Sequence, residues 1–207
     1  MKTRFITLEG GEGVGKTTNL TFIEAYLRKN GVSLVRTREP GGTALGEKLR
    51  ALLLHEPGMV EEAELLLVFA SRAQHLREVI LPALEQGHWV LCDRFTDASY
   101  AYQGGGRGVP EERIRVLEEW IQGALKPDMT LLLDTSVAVG MERARSRGTQ
   151  DRFEQEAENF FDRVRDHYLE RFKQDPQRIR KIDASMPLEA VQEAIQRELD
   201  QLLEASR

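Results

Sequence analysis

A glycine-rich segment near the start of the chain constrains the fold more than any other feature. Residues 10–18 read Gly-Gly-Glu-Gly-Val-Gly-Lys-Thr-Thr and follow the apolar run Phe5-Ile6-Thr7-Leu8. This order predicts a buried strand, a tight loop and then a helix, because glycines allow a backbone curvature that other residues resist. The amide N–H groups of such a loop point inward, and the start of the next helix adds positive charge. We therefore expect the chain to bind a nucleoside triphosphate.

Each part of this loop has an expected role. Loop 10–17 should enclose the phosphates of ATP, with Lys16 supplying charge to the β and γ phosphates and the Thr17 hydroxyl placed to ligate Mg²⁺. ATP and Mg²⁺ are thus the expected phosphoryl donor and cofactor. The residues predicted to contact the triphosphate are Gly10, Gly11, Glu12, Gly13, Val14, Gly15, Lys16, Thr17 and Thr18.

Composition and charge narrow the class of protein. The 207 residues are 41% hydrophobic and 30% charged, and no linker-like tract divides them, so we predict one domain over 1–207. A net charge of −5 argues against a general nucleic-acid-binding surface. The N-terminal apolar segment is too short for a signal peptide or a membrane span, and the single cysteine, Cys92, suits a reducing compartment. These features predict a cytoplasmic protein.

Short strand-like runs alternate with longer helical patterns. Strands are predicted over 5–9, 33–37, 88–93, 130–134 and 178–183, and helices over 17–29, 44–54, 63–85, 111–123, 137–147, 154–173 and 188–204. This alternation predicts an α/β, three-layer P-loop fold with a five-stranded parallel sheet flanked by helices. Ligands of such sheets bind beyond the carboxyl ends of the strands. The polar residues at those ends are Glu9, Arg38, Glu39, Asp93, Arg94 and Asp134.

Two arginines at predicted strand ends have the chemistry of a phosphate site. Arg38 follows the second strand and precedes the rigid turn Pro40-Gly41-Gly42, and Arg94 follows the third strand beside Asp93. Each alone could equally be solvated. A guanidinium group binds phosphate oxygens through paired hydrogen bonds, so two of them facing the loop would hold a second phosphoryl group. We predict that Arg38 and Arg94 form a phosphate acceptor site.

A late cluster of arginines predicts a lid. The cluster consists of Arg143, Arg145, Arg147 and Arg152, with Gly148-Thr149-Gln150 interrupting the helical pattern. Arginines at this spacing cannot all face one side of a helix, and a flap that closes over the phosphates explains them better than a solvated stripe. In phosphoryl transfer a positioned arginine stabilises charge in the transition state, and closure excludes water. The predicted arginine-rich lid covers about residues 143–154.

Several longer motifs can be compared with known families. They are Glu-Gly-Gly-Glu-Gly-Val-Gly-Lys-Thr-Thr from Glu9, Thr-Arg-Glu-Pro-Gly-Gly-Thr from Thr37, Phe-Ala-Ser-Arg-Ala-Gln from Phe69, Asp-Arg-Phe from Asp93 and Ala-Tyr-Gln-Gly-Gly-Gly-Arg-Gly from Ala101. With these motifs the chain resembles bacterial thymidylate kinases over essentially its whole length. The segment Asp151-Arg152-Phe153-Glu154 is also similar to the lid of that family. The resemblance implies phosphoryl transfer from MgATP to dTMP, giving dTDP, by a homodimer.

The resemblance also implies catalytic roles. The variable loop positions 12–14 hold no basic residue, so the chain is similar to the family members whose catalytic arginine lies on the lid. Arg147 is the first candidate for that arginine and Arg152 the second. The implied catalytic residues are Lys16, Arg94, Arg147 and Arg152, and the implied metal-binding residues are Thr17 and Asp93. No general base is expected, because the acceptor phosphate is already an anion.

A further implied set of residues surrounds dTMP. It comprises Glu12, Arg38, Phe69, Arg72, Arg94, Ser99, Tyr102 and Gln103. Glu12 is implied to lie near the sugar, Arg72 to reach the base, and Tyr102 to favour deoxyribose. Many relatives carry a stacking aromatic residue where this chain has Val68, and Phe69 is then the expected aromatic wall of the thymine pocket.

Other functions are compatible with parts of this pattern. A P-loop kinase of another nucleoside monophosphate would differ only in the pocket residues. A GTP-dependent switch would need a guanine-reading Asn-Lys-x-Asp segment, which the sequence lacks. A motor or DNA-linked ATPase is disfavoured by the acidic balance of charge and the lack of basic tracts.

Overall fold

Five parallel strands form the centre of the protein. The computed structural model describes residues 2–145 and 152–206. Its strands are β1 (Phe5–Glu9), β2 (Leu34–Arg38), β3 (Trp89–Asp93), β4 (Met129–Asp134) and β5 (Ile179–Asp183), paired in parallel in the order β2-β3-β1-β4-β5. The five predicted strands are confirmed to within one residue at each end. The order places β1, which leads into the glycine-rich loop, between β3 and β4.

Helices cover both faces of this sheet. They are α1 (Lys16–Lys29), α2 (Ala44–His55), α3 (Glu61–His75), α4 (Leu81–Glu85), α5 (Thr96–Ser99), α6 (Glu111–Ile121), α7 (Val137–Arg145), α8 (Glu158–Gln174) and α9 (Leu188–Glu204). The predicted α/β fold with flanking helices is confirmed. Among the described residues, none of the helices has the length and apolarity required to cross a lipid bilayer.

Two π-helical segments depart from the predicted helices. The first, Leu76–Ile80, joins α3 to α4, so the helix predicted over 63–85 has three parts. The second, Tyr100–Gly106, extends α5. It contains the glycine-rich stretch that the sequence did not assign to an element. π-helical turns occur frequently at functional sites, because the wider turn redirects side chains.

The helix α8 begins later than predicted. Residues 152–156 form turns, in which the Glu156 amide donates to the Phe153 carbonyl oxygen at 3.0 Å. Ala157 has an extended backbone (φ −70°, ψ 155°) and immediately precedes the helix, which starts at Glu158 rather than at Glu154. The polar residues just before 158 therefore belong to turns and not to the helix.

Alternate residues of the central strands build two apolar layers. Ile6 and Leu8 of β1 lie in the same cluster as Ile23 of α1 and Leu199 of α9. Phe5, which points to the opposite face of β1, belongs to a second cluster that also contains the buried thiol of Cys92. Because both faces are covered, the polar residues are concentrated at the carboxyl edge of the sheet, where the loops meet.

Candidate active site

The glycine-rich loop packs tightly against α7. Gly13 has a left-handed backbone (φ 68°), and a Cβ atom there would lie 1.8 Å from the carbonyl oxygen of Gly140. Gly15, also left-handed (φ 90°), precedes the first turn of α1. Only glycine fits both positions without strain or collision. The loop is therefore held in a fixed shape by α7 on one side and α1 on the other.

Lys16 folds back over the loop that carries it. Its Nζ donates to the carbonyl oxygens of Gly10 (3.1 Å) and Gly11 (2.8 Å). Burial, followed by repulsion from the Arg94 guanidinium, lowers the pKa of Lys16 to about 8. An anion beside Nζ would favour its charged form. The lysine is thus placed to bind phosphate oxygens entering the loop.

A cavity of about 270 Å³ opens beside the loop. Its wall is formed by the loop, α2, α3, β3 and its following residues, and the π-helical segment 100–106. The predicted site residues in this wall are Glu12, Gly13, Val14, Gly15, Lys16, Thr17, Arg72, Asp93, Arg94, Ser99, Tyr102 and Gln103. Residues 10 and 11 instead line a much smaller cavity of about 30 Å³ between the loop and α8. Thr18 is exposed on α1.

Three side chains meet in the wall of the large cavity, in a group that we call the Arg94 end. Arg94 Nη2 donates to Glu12 Oε1 at 2.6 Å, and the Tyr102 hydroxyl donates to the same oxygen at 2.8 Å. The Arg94 guanidinium carbon lies 4.5 Å from the centre of the Tyr102 ring. Arg94 is the one described residue other than glycine with a positive φ, 67°. That backbone costs about 1 kcal/mol, so the surrounding contacts must hold it.

A second group of wall residues, which we call the Arg72 end, is built on a fully buried guanidinium. Arg72 is 1% exposed, and its Nε donates to Glu39 Oε2 at 2.7 Å. Its Nη2 donates to Ser99 Oγ at 2.9 Å and to the Phe95 carbonyl oxygen at 3.1 Å. Its Nη1 is buried and has no hydrogen-bond partner among residues 2–145 and 152–206. Buried donors are rarely left unpaired, so this atom is available to a ligand.

Glu39 fixes the orientation of Arg72. The carboxylate also accepts a hydrogen bond from His75, with Nδ1 to Oε1 at 2.9 Å, and the other ring nitrogen of His75 lies 2.6 Å from Thr37 Oγ1. Burial by itself would raise the pKa of Glu39, but Arg72 and His75 outweigh it, and the pKa is lowered. Glu39 is therefore a stable anion beneath Arg72.

The structure places Phe69 outside the cavity, which corrects the prediction of an aromatic wall there. Phe69 is 2% exposed and packs with Leu65 and Ile114, and its ring centre lies 4.6 Å from the Arg72 guanidinium carbon. The preceding residue, Val68, lines the cavity instead. Neighbouring residues of an α-helix point about 100° apart, so a shift of one position moves the side chain from the cavity to the core.

Arg38 is also outside the cavity wall, and Arg50 takes the place predicted for it. The Arg38 side chain is 51% exposed and pairs with Glu47, with Nη2 to Oε2 at 2.7 Å. Arg50, on α2, lines the cavity and donates to the Pro40 carbonyl oxygen at 3.0 Å. Burial, then repulsion from Arg38 and Arg94, lowers the pKa of Arg50. The sequence signal for Arg50 was an arginine just before the apolar run of α2.

The described residues 152–154 of the predicted lid lie against α2 and α3. Arg152 Nε donates to the Leu53 carbonyl oxygen at 2.9 Å, and its Nη2 donates to Glu64 Oε2 at 2.6 Å. Phe153 lines the cavity, with its ring centre 5.9 Å from that of Tyr102. The side chain of Arg152 is thus hydrogen-bonded to α2 and α3. Arg147, the first candidate for the lid arginine, lies outside the described residues.

Sequence reasoning missed Glu64, which joins the lid to the cavity wall. This buried carboxylate of α3 accepts from Gln103 Nε2 at 2.9 Å and from Arg107 Nε at 3.1 Å, in addition to Arg152. The amide of Gln103 is therefore held in a fixed orientation in the cavity wall. Glu64 gave no signal in the sequence, because it is one of several acidic residues at the start of α3.

Thr17 and Asp93 fit a divalent cation that favours oxygen. The Thr17 side chain is exposed at the mouth of the loop. Asp93 Oδ1 is buried and has no hydrogen-bond partner within the described part of the chain. A hydroxyl and a carboxylate are ligands that suit Mg²⁺, which usually keeps several waters and takes few protein ligands. Both residues line the same cavity.

Comparison with known proteins assigns this arrangement to a family. The family model described as thymidylate kinase matches residues 8–195. The chain belongs to the thymidylate kinase family. A relative named thymidylate kinase from Pseudomonas savastanoi pv. phaseolicola is 58% identical over 205 residues, which covers 98% of each chain.

Two further relatives with the same name come from other genera. The protein from Methylococcus capsulatus is 56% identical over 200 residues, covering 97% of this chain and 96% of its own. The protein from Alkalilimnicola ehrlichii is 57% identical over 199 residues, covering 95% of this chain and 92% of its own. Family membership confirms the predicted function, that of a thymidylate kinase, and the predicted enzyme class, a phosphotransferase.

Proposed function

We propose that this enzyme transfers the γ-phosphoryl group of MgATP to dTMP, giving dTDP, and that the large cavity binds dTMP. The observation that carries this assignment is the pair of polar groups in the cavity wall. Arg72 Nη1 has no hydrogen-bond partner within the described part of the chain, and Arg94 and Arg50 line the same wall as Lys16. A nucleoside monophosphate offers a matching pair, with a hydrogen-bonding base at one end and a dianion at the other.

The Arg72 end binds the base in this proposal. Arg72 Nη1 donates to a carbonyl oxygen of thymine, and Val68 supplies an apolar surface. Ser99 and Gln103 have side chains fixed by Arg72 and Glu64, which supports a role in orienting the base rather than adapting to it. The burial of the Arg72 guanidinium strengthens each polar contact that it makes.

The Arg94 end binds the phosphate and the sugar. Arg94 and Arg50 hold the acceptor phosphate, since paired N–H donors match its oxygens. Glu12, now paired with Arg94, accepts from the sugar hydroxyl instead when the phosphate binds the guanidinium. Tyr102 lies beside this position and excludes a 2′-hydroxyl. Arg38, exposed and paired with Glu47, has at most an indirect role through the charge it adds.

The loop and Lys16 hold the triphosphate of ATP on the other side. Thr17 and Asp93 would hold Mg²⁺ there, and the ion would supply positive charge to the β and γ phosphates. A phosphate oxygen of dTMP forms the new bond to the γ phosphorus, and the bond from that phosphorus to the bridging oxygen of ADP breaks. The acceptor oxygen is already anionic, so the residues of this chain position and stabilise charge but remove no proton.

The lid completes the reaction site in this proposal. Residues 1–207 form one domain in this proposal, and residues 143–154 of that domain close over the phosphates. Arg147 supplies positive charge to the transition state, and Arg152 is the second candidate for this role. The present contact of Arg152 with Glu64 supports a role in docking the lid, and Arg147 therefore remains the first choice for the catalytic arginine.

A homodimer that works in the cytoplasm is also part of the proposal. Exposed apolar side chains on α3 and α6, which pack against each other, offer a contact face: Leu66 is 57%, Val116 54% and Trp120 77% exposed. The buried thiol of Cys92 suits a reducing compartment. Sedimentation should give the mass of a dimer, and Trp120→Glu should shift it toward the monomer.

The test of the substrate is ADP release from MgATP with dTMP, dUMP, dCMP, dGMP and UMP offered separately. We expect dTMP to give the highest kcat/KM, with an Arg147→Ala variant losing turnover. Preference for another monophosphate would overturn the assignment of the cavity to dTMP. Turnover that does not depend on any acceptor would overturn the proposal of phosphoryl transfer to a nucleotide.

A further inference from the structure

The backbone of Arg94 needs support from neighbouring residues. Its left-handed conformation turns the chain sharply at the end of β3, and its own amide donates to the Leu8 carbonyl oxygen of β1 at 3.0 Å. The next residue, Phe95, is fully buried, so its amide requires a partner inside the protein. The direction of the Arg94 side chain depends on how these two peptide groups are held.

Glu9 supplies the partner for the second peptide group. Its Oε1 accepts a hydrogen bond from the Phe95 amide at 2.6 Å, and the residue is fully buried at the end of β1. Burial, with repulsion from Asp97 next, raises the pKa of Glu9 to about 8. A buried carboxyl that forms no ion pair with the residues the structure describes is costly for the fold. Because Glu9 binds the peptide group that follows Arg94, its carboxyl stabilises the turn at that residue.

Tyr168 connects Glu9 to the guanidinium group. The hydroxyl of this α8 residue donates to Glu9 Oε2 at 2.7 Å, and its oxygen lies 3.4 Å from Arg94 Nη1, which donates to it. Tyr168 is 3% exposed. Neither Glu9 nor Tyr168 belongs to the wall of the large cavity, so neither is placed to touch a ligand there. Both reach that cavity through Arg94.

We propose that Glu9 and Tyr168 are positioning residues, which together fix the backbone and the guanidinium of Arg94 in the orientation that receives the acceptor phosphate. This inference rests on the proposed function, in which Arg94 binds the phosphate of dTMP. Glu9 sets the turn from the backbone side, and the single hydroxyl of Tyr168 links the turn to the guanidinium. The two residues are 159 positions apart in the sequence and add a supporting layer to the proposed site.

The first test is Tyr168→Phe, which keeps the ring and removes only the hydroxyl. We expect KM for dTMP to rise about tenfold, because a misoriented guanidinium loses one good contact with the phosphate. KM for ATP should change less than about twofold. Tyr100→Phe is the matched control: Tyr100 is also buried, and its hydroxyl donates to Glu118 at 2.6 Å, away from Arg94. A merely structural tyrosine would give the two variants the same kinetics.

Two variants of Glu9 separate the effect of its hydrogen bonds from the effect of its side-chain volume. Glu9→Gln keeps an oxygen for the Phe95 amide and an N–H group for the Tyr168 oxygen, so KM for dTMP should stay within about threefold of the parent value. Glu9→Leu fills the same space without an acceptor and should raise KM for dTMP by more than about tenfold. Equal KM values for the two variants would overturn the role of Glu9.

A double-mutant cycle with Arg94→Lys distinguishes failure of this inference from failure of the proposed function. We expect Arg94→Lys to raise KM for dTMP strongly and Tyr168→Phe to add nothing in that background, because the residue it positions is gone. An unchanged KM in Arg94→Lys would overturn the phosphate-binding role of Arg94. Two outcomes would overturn the positioning role alone. In the first, Arg94→Lys has a large effect and Tyr168→Phe has none. In the second, Tyr168→Phe has the same effect in the Arg94→Lys background as in the parent protein.

Discussion

The two ends of the cavity hold their arginines in different ways. At the Arg72 end the guanidinium is 1% exposed and projects from the regular helix α3. It is bound to an anion, a hydroxyl and a carbonyl oxygen from segments that follow β2 and β3. At the Arg94 end the side chain is 16% exposed, its backbone is strained, and it is paired with Glu12 inside the cavity itself. The Arg72 side chain is thus held rigidly before a ligand binds, whereas Arg94 must release Glu12 in order to bind one.

The buried carboxyl groups that support the two arginines have pKa values shifted in opposite directions. Glu39 lies under Arg72, and its pKa is lowered because Arg72 and His75 outweigh the effect of burial. Glu9 lies under the Arg94 turn, and burial together with Asp97 raises its pKa to about 8. In the proposed site, the ionised Glu39 fixes the arginine that would bind the base. The neutral Glu9 leaves the charge of Arg94 uncompensated from that side, which would keep it available to the phosphate.

The largest expected effect is that of Arg94→Ala on catalysis. Loss of this donor should lower kcat/KM for dTMP about 10³-fold, because hydrogen-bond donors directed at reacting charge have effects of this size. Steady-state ADP release is the measurement. Arg38→Ala is the control, since Arg38 is exposed and bound to Glu47, and it should change kcat/KM by less than about fivefold. Similar losses in the two variants would remove the distinction between Arg94 and Arg38.

Arg72→Met should affect stability more than any change at Arg94. It leaves Glu39 buried without its main cationic partner, and breaking such a pair from one side costs about 3 kcal/mol or more. Urea denaturation should show this loss in the free energy of unfolding, whereas Arg94→Ala should cost less, because the Glu12 carboxylate that it leaves is 19% exposed and keeps its hydrogen bond from Tyr102. Equal losses of unfolding free energy in the two variants would mean that both arginines contribute equally to stability.

The next effect is a pH dependence of stability that belongs to Glu9. In the unfolded chain this carboxyl ionises near 4.5, while in the folded protein it stays protonated up to about pH 8. The folded state therefore binds more protons between these values, and the free energy of unfolding falls as pH rises through that window. Between pH 5 and 7 the parent protein should lose about 2 kcal/mol more than Glu9→Gln, measured by urea denaturation. Parallel pH profiles would contradict the raised pKa.

The smallest effect concerns selection of the sugar. Tyr102→Ala opens space beside Glu12 and removes one donor from its carboxylate, so turnover of ribo-TMP relative to dTMP should rise about tenfold. The ratio of the two kcat/KM values is the measurement. Tyr100→Phe serves as a control that should leave the ratio at its parent value. No change of the ratio in Tyr102→Ala would show that another group excludes the 2′-hydroxyl.

Part of this site could be predicted because its signals are local. The loop 10–17 uses glycines and a lysine within a few positions, and the strand and helix around it follow from short apolar patterns. The sequence also marked Arg94 and Glu9 as polar strand ends. It misplaced Phe69 and Arg38, because a helix position and a loop position can each shift a side chain out of a cavity without changing the pattern of residues.

The sequence by itself determined that this chain forms a parallel α/β sheet with a phosphate-binding loop, because strand alternation and glycine-rich turns depend on near neighbours. Tertiary structure alone decided the strand order, the replacement of Arg38 by Arg50 in the cavity wall, and the contact of Glu9 with Tyr168, 159 positions away. Those features depend on which buried polar groups find partners once the layers pack, and a hydrogen bond between distant residues leaves no periodic mark in the sequence.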